Sequence, residues 1–296
     1  MSKINIFALL LLINLSSLVS SDLLDLSIVT DLVKQINGLT GGLWKADVTK
    51  LSLLSKKDQL KLCGCRIPEK KISKEAEPPH FEAGATGNCT YKIDFDARTK
   101  WPSCAPIINH IQDQGQCGSC WAVATASAYT DRLCTGTDYK LKNGCKPYPY
   151  SSFGSAPRQQ CKSACTSTSW KTPYTKDKNM ATTVGRLIGD SATVMAIQKE
   201  IQTNGPVVAG FTVYSDLMSY KSGVYFKTPN AQKREGHAVV IIGWGTQTCD
   251  GKKMDFWLIK NSWGEAFGEK GYFKMRRGVN ECGIEKDEIS FGIPKI

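Results

Sequence analysis

Between Pro206 and Met275 the chain reads as five short runs of β-branched and aromatic residues: PVVAGFTVY, GVYF, HAVVIIGWG, FWLIK and GYFKM. Turn residues separate them, which predicts antiparallel strands. Upstream the period changes. Directly after Cys120, the residues Ala122, Ala126, Tyr129 and Leu133 recur at spacings of four, three and four, predicting an amphipathic helix with Cys120 at its N-terminus. Val194, Ile197 and Ile201 predict a second helix, stopped by Asn204-Gly205-Pro206. Helices first and strands later imply an α+β protein with two subdomains and a cleft between them.

The compartment follows from the other end of the chain. Lys3, a short apolar run from Ile6 to Ile13 and the small residues Val19-Ser20-Ser21 have the form of a secretory signal peptide over residues 1–21. The run is far shorter than the ~20 residues a membrane span needs, and no later segment is long enough. Twelve cysteines behind such a leader are expected to form mostly disulfides. Asn88-Cys89-Thr90 has the form of a glycosylation acceptor, meaningful only on that route. The net charge of +11 is not gathered into a basic helix or an aromatic-interleaved basic stretch, so it argues for a solvated basic surface rather than a nucleic-acid partner.

Residues 22–91 are uneven. Weak helical spacing runs from Leu51 to Leu62, and the stretch IPEKKISKEAEPPHFEAGATGN reads as an exposed linker open to cutting. The stretch KSACTSTSWKTPYTKDK reads as a surface loop.

The chemistry centres on QDQGQCGSCWA, residues 112–122. Cys117 and Cys120 could be half of a zinc clip with Cys161 and Cys165, or a redox couple. Disulfide formation competes for the thiols in the first case, and no βαβ pattern surrounds the pair in the second. Neither reading uses the glutamine or the tryptophan. The third makes Cys120 a nucleophile, because a thiol at a helix N-terminus feels the positive end of the macrodipole, which favours the thiolate. Of three histidines, His80 lies in the linker and His110 in a loop. His237 opens a predicted strand, and Asn261 closes the next one, so antiparallel pairing could bring the two together.

QGQCGSCWA, GHAVVIIGWG and WLIKNSWGEAFGEKGYFKM resemble the three signature blocks of papain-family cysteine proteases, in the family's order Cys, His, Asn. FDARTKWPSC, GCKPY, NGPVVAGFTVYSDLMSYKSGVYF and CGIE narrow the resemblance to cathepsin B-like enzymes. It implies a papain-like α+β fold, with a helical left subdomain and an antiparallel β right subdomain over residues 92–296, behind a propeptide at 22–91. By motif it makes Cys120 the nucleophile, His237 its base and Asn261 the group that orients the ring. Gln114 and the Cys120 amide would form the oxyanion hole, with Trp121, Gly236 and Trp263 around the substrate and Trp263 shielding the His–Asn bond. Asp287 or Glu288 would lie at the floor of the P2 pocket. Disulfides Cys104–Cys134 and Cys145–Cys165 are implied. So are peptide substrates, inhibition by the propeptide and by cystatin-like proteins, a monomer, no metal or organic cofactor, and a lysosomal, vacuolar or extracellular destination.

The sequence departs from the family at two places. Between Lys140 and Leu141 the left subdomain is shortened by something on the order of fifty residues, and the usual Cys-to-His interval is not reached. Cys117 and Cys161 thereby lose their usual partners and either pair with each other or stay free; Cys249 with Cys282 is a further conceivable pair. The segment PYPYSSFGSAPRQQC lacks the paired histidines of the cathepsin B occluding loop, which implies endopeptidase action. Two readings remain open: an active zymogen, or an inactive product of the same family, whether truncated isoform, faulty gene model or binding pseudoenzyme.

Overall fold

The computed structural model describes residues 25–65, 88–134, 144–146 and 162–295. The leader, the linker with His80, the junction at 140/141, the occluding-loop counterpart and Cys161 lie outside the described residues.

The N-terminal segment is more regular than its sequence suggests. Helix α1 (Leu26–Thr40) starts where the Asp25 carboxylate accepts the Ser27 amide and ends at Gly41, whose φ of 56° few other residues adopt. Strand β1 (Trp44–Ala46) follows. The expected helical stretch 51–62 is regular only as α2 (Lys56–Lys61), capped by Ser55. Asp96 ends β2 (Cys89–Asp96), which runs through the expected boundary at 91/92. After short helical turns at Ala97–Lys100 and Ala105–Ile108 come helix α3 (Cys120–Leu133), β3 (Ala181–Leu187), α4 (Val194–Asn204), β4 (Val207–Tyr214), β5 (Tyr220–Tyr225), β6 (Lys233–Cys249), β7 (Lys252–Lys260), β8 (Tyr272–Arg276) and β9 (Glu288–Pro294).

The strands form one sheet in the order β1-β5-β8-β7-β6-β4-β9-β3, with β2 paired to β6. All pairings are antiparallel except β5 with β8. Each of the five expected runs lies within or overlaps one of β4 to β8; β1, β2, β3 and β9 were not expected. Gly243 and Gly245 are required where β2 crosses β6, since a side chain at either would meet the Phe95 or Lys92 carbonyl at 2.2 Å. The core gathers around Phe211, Tyr220, Tyr225, Phe256, Trp257 and Phe273. Trp44 of β1 is fully buried against Tyr220 and Tyr225, so the N-terminal segment is anchored in this same core.

Helix α3 turns a different face inward from the one its spacing suggested. Ala122, Tyr129 and Leu133 are only half-buried and Ala126 is exposed, whereas Cys120, Ala124, Ser127, Ala128 and Asp131 are buried. Small side chains on that face let the helix lie close to β6 and β9. Its C-terminus is tied by Cys104–Cys134, and Cys145–Cys165 is also joined. The conceivable Cys249–Cys282 pair does not form: Cys249 is bonded to Cys89, directly opposite it in the β2–β6 register, and Cys282 is a free thiol. Cys117 is free as well. The stretch from Lys162 to Lys178 is turns and bends, mostly at the surface.

A buried ion pair joins the helix to the sheet. The Lys260 ammonium donates to both oxygens of Asp131, at 2.8 and 2.7 Å. Burial pushes the Asp131 carboxyl up to about 6 and the Lys260 ammonium down, while each partner's charge opposes the other's shift. Asp131→Ala would leave a buried ammonium without a partner. It should lower stability by about 3–5 kcal/mol, and Asp131→Leu combined with Lys260→Met should recover most of the loss, as read from urea unfolding midpoints.

Candidate active site

Cys120, His237, Asn261, Gln114 and Trp263 converge where α3 meets the β4–β6–β7 part of the sheet. Cys120 opens α3, beneath the positive end of the macrodipole. His237 lies near the start of β6, opposite Phe211 of β4, and Asn261 directly follows β7. Because β6 and β7 run antiparallel with Val240 opposite Lys260, the two side chains reach the same end of the sheet.

The tautomer of His237 follows from its neighbour. Asn261 Oδ1 accepts the Ser262 amide at 2.8 Å, which turns the oxygen toward the ring, and it also lies 2.8 Å from His237 Nε2. Nε2 therefore carries a proton and donates it. That leaves Nδ1 to address the Cys120 sulfur, although it has no well-aligned hydrogen-bond partner. Trp263 stacks on the imidazole at 4.5 Å and Phe211 meets it edge-on at 5.8 Å, so the ring is fully buried.

Gln114 is held with equal care. Its amide donates to the Ser262 carbonyl at 2.9 Å, and its Oε1 accepts the Ser262 hydroxyl at 2.6 Å. Nε2 is thereby aimed at the site, where it donates to the Cys117 carbonyl at 2.7 Å and the Leu62 carbonyl at 3.0 Å. Ser262 was not singled out by sequence reasoning, though its place between Asn261 and Trp263 was a signal.

The N-terminal segment fills the cleft. The Leu62 carbonyl also accepts from Trp263 Nε1 at 3.3 Å, and the Gly64 and Cys65 amides donate to the Gly236 carbonyl at 3.2 and 3.1 Å. On the opposite wall Gly64 lies against Gly118, so close that a side chain at Gly64 would meet the Gly118 oxygen at 1.9 Å. Cys65 Sγ is 3.4 Å from Cys120 Sγ. Cys120 is drawn down to about 3, first by the hydrogen bond from Cys65, then by the His237 contact and charge and the Ala238 amide, with burial opposing. The adjoining Cys63 thiol is pushed up to about 12 by burial.

The outlying residues fall into place around this centre. Trp121 is exposed. Asp287 folds over the Gly283 turn, with its backbone amide donating to the Gly283 carbonyl at 2.9 Å. Glu288 stands opposite Gly210 of β4 and pairs with Arg186 at 3.0 Å.

The family pattern described as papain family cysteine protease matches residues 92–145 and 137–291. The chain belongs to the papain family of cysteine proteases. A cathepsin B-like cysteine proteinase of Caenorhabditis elegans is 36% identical over 68% of this chain and 74% of its own length. One from Schistosoma japonicum is 31% identical over 88% of this chain and 89% of its own. The solved structure of a procathepsin B from Trypanosoma congolense superposes with a TM-score of 0.69 at 29% identity, covering 90% of this chain and 98% of that one. The protein is thus a cathepsin B-like member of a family of cysteine endopeptidases, and its N-terminal segment takes the place of a prosegment. Among the described residues no helix is long and apolar enough to cross a membrane.

The Gly64–Gly118 contact makes the cover testable. Gly64→Ala forces the segment off the wall at a cost of about 1–3 kcal/mol, the usual range for overpacking. The unprocessed variant should therefore react with a peptide epoxide at Cys120 roughly 5- to 150-fold faster than wild type.

Proposed function

We propose that the chain is the zymogen of a secreted or lysosomal cathepsin B-like cysteine endopeptidase, with residues 1–21 its signal peptide. Cys120 as thiolate attacks the scissile carbonyl, and His237 gives the Nδ1 proton to the leaving amine. Asn261 holds the imidazolium through Nε2, and the Gln114 amide with the Cys120 backbone N–H stabilises the developing oxyanion. Water, deprotonated by His237, then releases the acyl group and restores the thiolate.

One observation carries this reading: a peptide carbonyl, that of Leu62, already rests on Gln114 Nε2 at 3.0 Å beside a thiol drawn down to about 3. Cleavage that frees the enzyme belongs before Cys89, because Cys89 is bonded to Cys249 and stays with the sheet. The Glu288–Arg186 pair offsets the acidic character expected of the P2 floor. Protein substrates, cystatin-like inhibitors and a monomeric state go with the proposal.

A second reading, a family member without activity, is favoured by the shortened stretch between Cys120 and His237 and by a family match in two pieces that meet at residues 137–145. Active-site labelling separates the two. An active enzyme, once processed, incorporates a peptide epoxide at Cys120, loses turnover in Cys120→Ser and loses about 10²- to 10³-fold in kcat in Gln114→Ala. A folded, processed chain that takes up no label supports the second reading.

Processing should also change the nucleophile. The prosegment supplies the largest of the contributions that depress Cys120, so the thiolate, followed by its ultraviolet absorbance, should titrate at higher pH in the processed enzyme than in the zymogen.

A further inference from the structure

We propose that Cys65 and Cys120 form a covalent modification site, at which a disulfide locks the prosegment onto the catalytic sulfur in the zymogen. The inference rests on the reading of Cys120 as nucleophile.

Geometry comes first. The two sulfurs are 3.4 Å apart, both unbonded, and need approach by only about 1.4 Å to reach disulfide length. The segment that carries Cys65 is fixed on both sides of that sulfur. Its amide is bonded to the Gly236 carbonyl and Gly64 is wedged against Gly118, so the pair is held together rather than met by chance. The neighbouring thiol, Cys63, is turned back toward its own helix, with its sulfur on the Gln59 carbonyl at 3.8 Å. The electronic character of the two sulfurs suits exchange. Cys120 is held as thiolate, whereas Cys65 keeps its proton, raised by the hydrogen bond it gives to Cys120 and by burial.

The oxidant is a low-molecular-weight disulfide such as oxidised glutathione, the class that poises the secretory route. Cys65 is half-exposed and Cys120 buried, so the reagent enters at Cys65. The Cys120 thiolate takes the Cys65 proton as the Cys65 sulfur attacks the reagent, so a mixed disulfide forms on Cys65 and one glutathione leaves as thiolate, which recovers that proton from Cys120. The Cys120 thiolate then attacks the Cys65 sulfur and expels the second glutathione as thiolate. Two electrons pass from the protein sulfurs to the reagent, and the Cys65 proton leaves on the first glutathione. The locked chain has no thiolate with which to process itself, and reduction restores it.

The full-length zymogen would be equilibrated in oxidised and in reduced glutathione buffers, quenched with N-ethylmaleimide and mapped by mass spectrometry. Parallel samples would be tested for peptide-epoxide labelling and acid-triggered processing. A Cys65–Cys120 linked peptide in the oxidised buffer supports the proposal, as does a loss of labelling and processing there that dithiothreitol reverses. Cys65→Ser should label and process alike in both buffers, whereas Cys63→Ser should behave as wild type. Recovery of Cys65 alkylated in the oxidised buffer, or of Cys120 joined to glutathione, Cys63 or Cys117, overturns it. If the reduced wild-type chain neither labels nor processes, the enzymatic reading fails, and the linked peptide, found or missing, still decides the cross-link.

Discussion

The contact between Asp131 and Lys260 sets the geometry on which the site depends. Asp131 lies on the buried face of α3, which begins at Cys120; Lys260 ends β7, and Asn261 is the next residue. The helix face between them is built of Ala124, Ser127 and Ala128, whose dispersion contacts allow close approach but do not fix where the helix stops along its axis. A charge pair removed from water does, since a slide of one helical turn would strand both ions. The proposed nucleophile and the group that orients the proposed base are therefore located by one interaction that touches neither.

A second constraint acts through backbone rather than side chains. The prosegment meets the cleft through the Leu62 carbonyl and the Gly64 and Cys65 amides, on the Gln114 side chain, Trp263 and the Gly236 carbonyl. Glycine at both 64 and 118 lets the two backbones touch. Contacts of this kind hold a peptide in place with little demand on its residues. The firm hold is elsewhere, in Trp44 buried among Tyr220 and Tyr225 and in β1 paired with β5.

That division explains what the sequence could and could not reveal. Strands β4 to β8 were legible because their apolar runs are bounded by turns, and Cys120, His237 and Asn261 because their local motifs are dense. The buried face of α3 was not, since alanine and serine carry almost no periodic signal while Tyr129 and Leu133, which do, point to the less buried side. Strand β2 carries Tyr91, Ile93 and Phe95 alternating with charged residues, and β9 carries Ile289, Phe291 and Ile293 at the same period, a strand signal that went unread because both runs are short and polar, whereas β3 holds few large apolar residues. The partner of Cys249 is a matter of register: only the β2–β6 pairing sets Cys89 opposite it. Cys65 gave no signal at all, because its meaning lies in a sulfur 55 positions away.

The contact between those two sulfurs joins acidity to concealment. While the prosegment is seated, the Cys65 thiol hydrogen-bonds to Cys120 and favours its thiolate, and the same residue lies against that sulfur. In the proposed mechanism, removal of the segment would expose the nucleophile and withdraw that donor in one step, leaving His237, the Ala238 amide and the helix N-terminus to hold the charge. His237 is prepared for this by a ring enclosed between Trp263 and Phe211 and a proton fixed on Nε2 by Asn261. The part of the site that sequence reads most easily is thus the proposed catalytic centre, and the part it hides is the prosegment contact that lies against it.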